Sequence, residues 1–216
     1  MSAFLLCQKL LALALFLQSI EMLKVRKRIA NIWLDGRLHG LTLLFSAQAA
    51  TAVLASVDAR AFPLALVLQL FLVVRLRGPF AGASDAMTLQ ALISITGSVL
   101  VPELKRAFMA YLAVQVTLSL FLSGIHKARH RQWWNGVAMA RVLGRETQSV
   151  PLHFRAAGLI VLAFELAFPL AMFSPTVRLP LVVGALGFHC INAYALGLNR
   201  FFWAWLAAYP ALWALS

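Results

Sequence analysis

Long apolar stretches occupy most of this chain and restrict the folds that it can adopt. Of its 216 residues, 62% are hydrophobic and only 12% are charged, whereas soluble domains contain about 25% charged residues. A helix needs about 20 predominantly apolar residues to cross the hydrocarbon core of a bilayer. These properties predict an all-α integral membrane protein that has no separate soluble domain.

The apolar runs divide the chain into about seven or eight predicted transmembrane helices. The third and eighth runs are short, which suits tilted, buried or partly re-entrant segments. Together the runs predict a polytopic bundle that forms a single domain over residues 1–216, with a first helix and basic segment in 1–39 and a helical core in 40–216. The predicted helices cover residues 3–22, 40–57, 61–76, 86–103, 107–126, 155–174, 178–197 and 201–215.

Basic residues are concentrated between the apolar runs. The chain has 19 Lys and Arg against 7 Asp and Glu, a net charge of +12, and in a soluble protein this excess would favour nucleic-acid binding. Short basic patches between apolar runs instead indicate contact with anionic lipid headgroups. We therefore predict the lipid bilayer as a partner and exclude nucleic acid. The first basic segment lies within residues 24–39.

The longest polar stretch of the chain covers residues 126–155 and contains the adjacent tryptophans Trp133 and Trp134. Tryptophan is enriched where membrane helices meet the lipid headgroups. Residues 133–143 are therefore predicted to form a short amphipathic helix that lies in the membrane interface.

Glu165 is the clearest candidate for a functional residue, because it lies in the middle of the apolar run 159–170. An ionisable side chain inside hydrocarbon costs several kcal/mol, so it faces the bundle interior and has a partner or a task. Two interpretations stay open. Glu165 either pairs with a basic group and fixes the packing of two helices, or it handles protons as an active-site acid.

Lys127 follows His126 at the end of the fifth predicted helix, just after Ser123 and Gly124. A lysine in this position can extend its ammonium group to the membrane surface, and most such lysines do only that. A lysine held in an apolar site instead loses its proton more easily and can act as a general base. The residues alone leave both roles open for Lys127.

His189 and Asn192 form a small polar patch within the seventh predicted helix. They are three residues apart and therefore lie on the same helical face. The patch either joins helices through hydrogen bonds or belongs to a binding site. The chain has no His and Cys spacing typical of zinc, and we predict no metal site.

Other polar residues carry weaker signals. Ser84 and Asp85 follow a turn-rich loop and are predicted N-caps of the fourth helix. Glutamines inside the apolar runs are predicted to form hydrogen bonds between helices. These glutamines are Gln48, Gln69, Gln90 and Gln115.

Three motifs occur in order along the chain. The first is Leu122-Ser-Gly-Ile-His-Lys127, followed by Trp133-Trp134-Asn-Gly136; the second is the apolar helix around Glu165; the third is Phe188-His-Cys-Ile-Asn192. In this order they resemble the HTTM membrane domain, the helical domain of the vitamin K-dependent gamma-glutamyl carboxylase family and its bacterial relatives. The resemblance extends over about residues 60–210 and implies the same helical domain.

The resemblance implies a quinone-dependent enzyme of the carboxylase or oxygenase type in a bacterial inner (cytoplasmic) membrane. In that family, a lysine deprotonates a reduced quinone, vitamin K hydroquinone; reaction with oxygen then gives a strong base that removes a γ-proton from glutamate before carbon dioxide adds. By this resemblance Lys127 is the general base, His126 replaces a neighbouring lysine and Glu165 holds or tunes a polar partner. The implied cofactor-binding residues are His189, Asn192, Trp133 and Trp134.

Functions from two other classes stay open. The chain is alternatively a non-catalytic membrane subunit or maturation factor that binds a partner membrane protein, a secreted peptide, a lipid or a quinone. It is also compatible with a transporter in which Glu165 and His189 form a proton path, although such folds often contain an internal repeat and none is evident here.

Overall fold

The computed structural model describes residues 2–33, 38–76, 80, 82–144 and 150–215. Within these residues the chain consists of α-helices, short 3-10 segments and turns, without any strand, which confirms the all-α prediction. The 3-10 segments are Ala59–Ala61, Pro102–Leu104 and Tyr209–Leu215. The α-helices are α1 (Ala3–Trp33), α2 (Leu38–Val57), α3 (Phe62–Arg75), α4 (Ala83–Leu100), α5 (Lys105–Ala128), α6 (Arg131–Trp134), α7 (Val137–Val142), α8 (Leu152–Ala167), α9 (Leu170–Phe173), α10 (Pro175–Leu196) and α11 (Asn199–Ala208).

Every predicted apolar run lies mainly on a helix, but the first helix is longer than expected. α1 continues through the basic residues Lys24 to Arg28 and ends at Trp33, whereas the prediction ended the first helix at residue 22. Lysine and arginine are good helix formers, and no glycine or proline interrupts the sequence of α1. Part of the predicted basic segment, residues 34–37, lies outside the described residues.

Four helices in the described part of the chain are long and apolar enough to cross a membrane. This number is lower than the seven or eight predicted. Helices α3 and α8 have 14 and 16 residues, so they rise only about 21 and 24 Å, less than the roughly 30 Å of hydrocarbon. The four candidate spans are Ala3–Asn31, Leu38–Val57, Pro102–Ala128 and Pro175–Leu196.

The predicted helix 155–174 is divided in the structure. α8 begins at Leu152 and ends at Ala167, and the short helix α9 follows Pro169. Proline has no N–H group to donate to the carbonyl four residues earlier. That carbonyl belongs to Glu165, and it instead accepts a 3.4 Å hydrogen bond from the N–H of Phe168. α8 therefore ends at Ala167, two residues after Glu165, and the chain turns there before α9 begins.

The predicted interfacial helix 133–143 is also divided. Helices α6 and α7 are separated by Gly136, whose φ is 80°. Glycine adopts this left-handed conformation without the steric cost that a Cβ atom imposes. The segment is therefore helical, as expected, but it bends at Gly136.

The chain divides into two compact units. Unit 1 comprises Met1–Ala113 and Arg200–Ser216, and unit 2 comprises Val114–Asn199. In unit 1, α1 packs against α2, α4 and the C-terminal 3-10 segment, and α3 packs against α2 and α4. In unit 2, α6 and α7 pack against α8, and α9 packs against α10.

Helices α1 and α2 of unit 1 run antiparallel. Near the start of α1, the side-chain amide of Gln8 donates a 3.1 Å hydrogen bond to the carbonyl of Ala55 near the end of α2. Towards the other end of α1, Ile29 belongs to the same buried cluster as Leu41 of α2 and Leu72 of α3. This cluster therefore brings together the C-terminal part of α1, the start of α2 and the end of α3.

Three buried glutamines connect α1, α2 and α3. The side-chain carbonyl of Gln69 accepts hydrogen bonds from the amides of Gln48 at 2.6 Å and Gln18 at 3.3 Å. This confirms the interhelical role predicted for Gln48 and Gln69. The sequence interpretation did not include Gln18, which is the contribution of α1.

An ion pair connects the start of α4 to the start of α11 within unit 1. Arg200 donates to Oδ1 of the buried Asp85 and lies over the Phe80 ring, 4.7 Å from its centroid. The other carboxylate oxygen, Oδ2, accepts a 3.1 Å hydrogen bond from the N–H of Gly82. Gly82 is thus the N-cap of α4, and Asp85 stabilises the first turn from inside the helix, which corrects the predicted cap.

We expect Gln69→Leu to destabilise unit 1, because Gln18 and Gln48 lose their common buried acceptor. A hydrogen bond between membrane helices contributes about 0.6–2 kcal/mol, so the unfolding free energy should fall by about 1–3 kcal/mol. SDS-induced unfolding in mixed micelles, followed by circular dichroism, measures this change. Gln90→Leu is the control, since among the described residues the Gln90 side chain makes no hydrogen bond; equal losses in both variants would contradict the prediction.

Candidate functional site

The candidate site is centred on an ion pair between α5 and α8 of unit 2. The ammonium group of Lys127, in the last turn of α5, donates to Oε1 of Glu165 in the last turn of α8. Lys127 also donates a 2.8 Å hydrogen bond to Oγ of Ser123, one turn earlier on α5. The Ser123 hydroxyl donates in turn to Oε1 of Glu165 at 3.3 Å.

The two members of the pair differ in exposure and in the number of hydrogen bonds that they form. The side chain of Glu165 is 1% exposed and that of Lys127 is 13% exposed. Oε1 of Glu165 accepts two hydrogen bonds, whereas Oε2 is buried and has no hydrogen-bond partner among the described residues. An ammonium group has three N–H donors, of which Ser123 and Glu165 use two. Among the described residues, one carboxylate oxygen and one ammonium hydrogen of the pair are therefore left without a hydrogen-bond partner.

Gly124 allows α5 and α8 to approach closely beside the pair. A Cβ atom at this position would lie 3.0 Å from Cβ of Glu165 and 3.1 Å from the backbone nitrogen of Leu166. Small residues permit this close backbone approach between membrane helices. The absence of a side chain at Gly124 thus sets the distance across which Lys127 reaches Glu165.

Aromatic rings surround the Lys127 ammonium. Its nitrogen lies 5.0 Å from the centroid of the Trp133 ring and 5.9 Å from that of Phe188. Both distances allow a cation–π interaction, which is strongest with tryptophan. His189, which is fully buried on α10, has its ring 5.3 Å from that of Phe188, centroid to centroid. The Lys127 and Glu165 pair is therefore held among flat apolar surfaces.

Two glycines fix the position of Trp133. A Cβ atom on Gly158 of α8 would lie 2.6 Å from the carbonyl oxygen of Trp133, and one on Gly136 would lie 2.5 Å from the backbone nitrogen of Arg155. These contacts hold the α6–α7 segment directly against the first half of α8. This packing holds the Trp133 ring near the Lys127 ammonium. The helix that carries Trp133, α6, has only four residues and depends on this contact with α8 for its position.

The structure brings some of the predicted site residues together and separates others. Lys127, Glu165, Trp133 and His189 lie together in unit 2, as described above. His126 is exposed, and its ring lies 4.5 Å from that of His130, centroid to centroid. The exposed Trp134 donates a 2.8 Å hydrogen bond from its indole to the carbonyl of Ala128.

Asn192 lies one turn beyond His189 and is half-buried. Its backbone carbonyl accepts the N–H of Gly197, where α10 ends in a left-handed residue. The structure therefore places Asn192 at the end of α10 and shows no side-chain contact between it and Lys127 or Glu165.

Two residues of the site had no assigned role at the sequence level. Ser123 contacts both members of the ion pair, and Phe188 contributes a ring beside the ammonium. Ser123 precedes Lys127 by four residues, and this spacing places the two side chains next to each other on a helix. The spacing of Ser123 and Lys127 in the sequence is therefore enough to predict that their side chains are neighbours. The position of Phe188 is not predictable in this way, because it depends on how α10 packs.

No model of a known protein family, no curated protein and no solved structure matches the chain. The resemblance to the HTTM membrane domain therefore stays a prediction.

We expect Gly124→Leu to separate α5 from α8 and to weaken the ion pair, because the added side chain meets the backbone of α8. Overpacking of this kind costs about 1–3 kcal/mol, measured by SDS-induced unfolding. Gly187→Leu is the matched control, since a Cβ atom on Gly187 of α10 has no neighbour within 4 Å. A Gly124→Leu variant as stable as the control would show that the close approach is unimportant.

We expect Lys127→Met to lower the unfolding free energy by about 3–5 kcal/mol, because Glu165 would then be a buried carboxylate without its counter-charge. The double variant Lys127→Met with Glu165→Met should recover most of this loss, since it leaves no buried charge. The same unfolding assay gives the coupling between the two positions. Additive effects of the two single substitutions would mean that the side chains do not interact.

Proposed function

We propose that the chain is an integral membrane protein whose Lys127 and Glu165 pair binds a reduced quinone and removes a proton from one of its hydroxyl groups. The observation that carries this proposal is the buried Oε2 of Glu165, which no described residue satisfies although the carboxylate is 1% exposed. Buried polar atoms in proteins are nearly always hydrogen-bonded. An atom left without a partner at an ion pair is therefore a candidate contact for a ligand.

Four apolar helices support membrane integration. They are long enough to cross the bilayer, and large apolar side chains such as Leu43, Phe173 and Tyr194 are exposed on the described surface. Exposed apolar area on this scale is unusual for a soluble protein. The shorter helices α3, α8 and α11 would then complete the bundle without each crossing the membrane separately.

The residues around the pair suit a flat ligand with a hydroxyl group. A reduced quinone supplies an aromatic ring and two weakly acidic hydroxyls. The Lys127 nitrogen has one hydrogen-bonding position that no described residue uses, which supports a contact with such a hydroxyl, and the unsatisfied Oε2 of Glu165 supports a second contact with a ligand donor. Trp133 and Phe188 offer aromatic surfaces about 5–6 Å from the same ammonium.

The pair is able to hold and release one proton. Transfer of a proton from Lys127 to Oε1 of Glu165, across their direct hydrogen bond, converts two charges into a neutral amine and a carboxylic acid. The lone pair of the neutral amine then turns to a bound hydroxyl and takes its proton. The products are the Glu165 carboxylic acid, the Lys127 ammonium and a negative ligand oxygen, whose charge the ammonium balances.

A second candidate function is that of a non-catalytic membrane subunit or maturation factor. The observation that favours it is the close packing at Gly124 together with the low exposure of Lys127. These features are typical of an ion pair that joins two helices. In that case a partner protein should co-purify in a stoichiometric amount. The Lys127 and Glu165 pair should then contribute to the stability of the protein and to no catalytic activity.

Lys127→Arg distinguishes the two functions. Arginine keeps the positive charge and pairs with carboxylates, but it does not lose its proton in proteins, so it preserves the helix contact and removes the base. With reduced 2-methyl-1,4-naphthoquinone, the purified protein should consume oxygen above the protein-free rate. We expect Lys127→Arg to lower that excess rate about 100-fold or more, while circular dichroism and unfolding stay close to those of the wild type.

Lys105→Arg is the matched control, because Lys105 begins the same helix and contacts the Phe4 ring instead of an acid. It should leave oxygen consumption unchanged. Wild-type activity in Lys127→Arg, or no excess oxygen consumption by the wild type, would reject the proton-transfer function and favour the packing role.

A further inference from the structure

An open groove lies between α2 and α3 of unit 1, with a volume of about 470 Å³. Leu43 and Ala47 of α2 and Phe71 of α3 line it, and Arg75 lies at the end of α3 beside them. Leu43 is 63% exposed and Phe71 is 54% exposed. The groove is thus an apolar surface that carries a cation at one end, and its volume is in the range of small-molecule sites.

The charge around the groove is positive. The buried cluster of Ile29, Leu41 and Leu72 places the C-terminal part of α1 at the same end of unit 1 as the start of α2 and the end of α3. That part of α1 carries three exposed basic residues, and Arg75 itself is exposed and forms no ion pair with any described residue. The exposed basic residues in the C-terminal part of α1 are Lys24, Lys27 and Arg28.

Among the described residues, no salt bridge joins Arg75 or the basic residues in the C-terminal part of α1 to an acidic side chain. Asp85, which lies near the same end at the start of α4, is buried and already paired with Arg200. An occupant of the groove therefore meets apolar side chains along its length and unpaired positive charge at its end. That combination matches an amphiphile with a hydrocarbon tail and an anionic head.

We propose that the groove between α2 and α3 binds an anionic phospholipid, with one acyl chain against Leu43 and Phe71 and the phosphate at Arg75. Basic residues near a membrane surface attract anionic lipid with about 1 kcal/mol each, and Arg binds phosphate through two parallel hydrogen bonds. Apolar contact with the acyl chain adds to this attraction. This site belongs to unit 1 and involves neither Lys127 nor Glu165, so its test is independent of the proposed proton transfer.

Native mass spectrometry of the full chain in a neutral detergent tests the proposal. Dioleoyl phosphatidylglycerol and dioleoyl phosphatidylcholine, which differ in headgroup charge, are titrated separately. The wild type should retain one phosphatidylglycerol more tightly than phosphatidylcholine. Arg75→Gln should reduce phosphatidylglycerol affinity about fivefold and phosphatidylcholine affinity less, because the choline cation of phosphatidylcholine already balances its phosphate.

Two further variants separate the charge from the groove. Gly40→Leu should weaken binding of both lipids, because a Cβ atom on Gly40 has no neighbour within 4 Å and the leucine extends into the groove without displacing the fold. Arg60→Gln is the matched control, since Arg60 is an exposed arginine that precedes α3 at its opposite end. It should bind both lipids like the wild type.

Three results would overturn the proposal. Equal retention of the two lipids by the wild type would show that the groove does not select a charge. Equal losses in Arg75→Gln and Arg60→Gln would assign the effect to net charge instead of to the groove. A dimer that Gly40→Leu converts to a monomer, with lipid binding unchanged, would identify the groove as a contact between two copies of the chain.

Discussion

A charged side chain that is buried in apolar surroundings needs a partner of opposite charge. The arrangement of the helices depends on this requirement. Each unit contains an ion pair that joins helices distant in sequence: Lys127 with Glu165 in unit 2, and Arg200 with Asp85 in unit 1. Removing a charge from water costs several kcal/mol, and the attraction between the partners often does no more than offset that cost. These pairs therefore contribute mainly to specificity, because helices that fail to meet would leave a charge without its counter-charge.

Small residues make the pair in unit 2 geometrically possible. Gly124 lets α5 approach the backbone of α8, and Gly158 lets the backbone of Trp133 approach the same helix from α6. In the bilayer location that we propose, the lipid tails are as apolar as the side chains, so close packing and hydrogen bonds, and not the hydrophobic effect, would bring the helices together. The glycines and the ion pair consequently act together: the first set the distance, and the second selects the partner.

Most of the secondary structure follows from the sequence, because apolar runs and helix-breaking residues are local signals. The pairing of helices does not, since one sequence position does not reveal which distant position it meets. Glu165 was recognisable as a residue that needs a partner, and Lys127 was one of several basic residues able to supply it. Asp85 was interpreted only as a helix cap, because its partner, Arg200, is 115 residues away. The apolar pattern underestimates the length of α1. The basic residues of α1 end the apolar run, but they are good helix formers and the helix continues through them.

A comparison of the two ion pairs separates a structural contact from a candidate site. Both carboxylates are almost completely buried. Asp85 has both oxygens bonded, one to Arg200 and the other to the N–H of Gly82, so each of its oxygens has a partner within the fold. Both described bonds of the Glu165 side chain are to Oε1, and Oε2 has no partner among the described residues. An ion pair selected only for packing gains from satisfying both oxygens, since an unsatisfied buried acceptor costs about 1–3 kcal/mol. The incomplete pairing of Glu165, beside the rings of Trp133 and Phe188, therefore favours a ligand that supplies the missing donor.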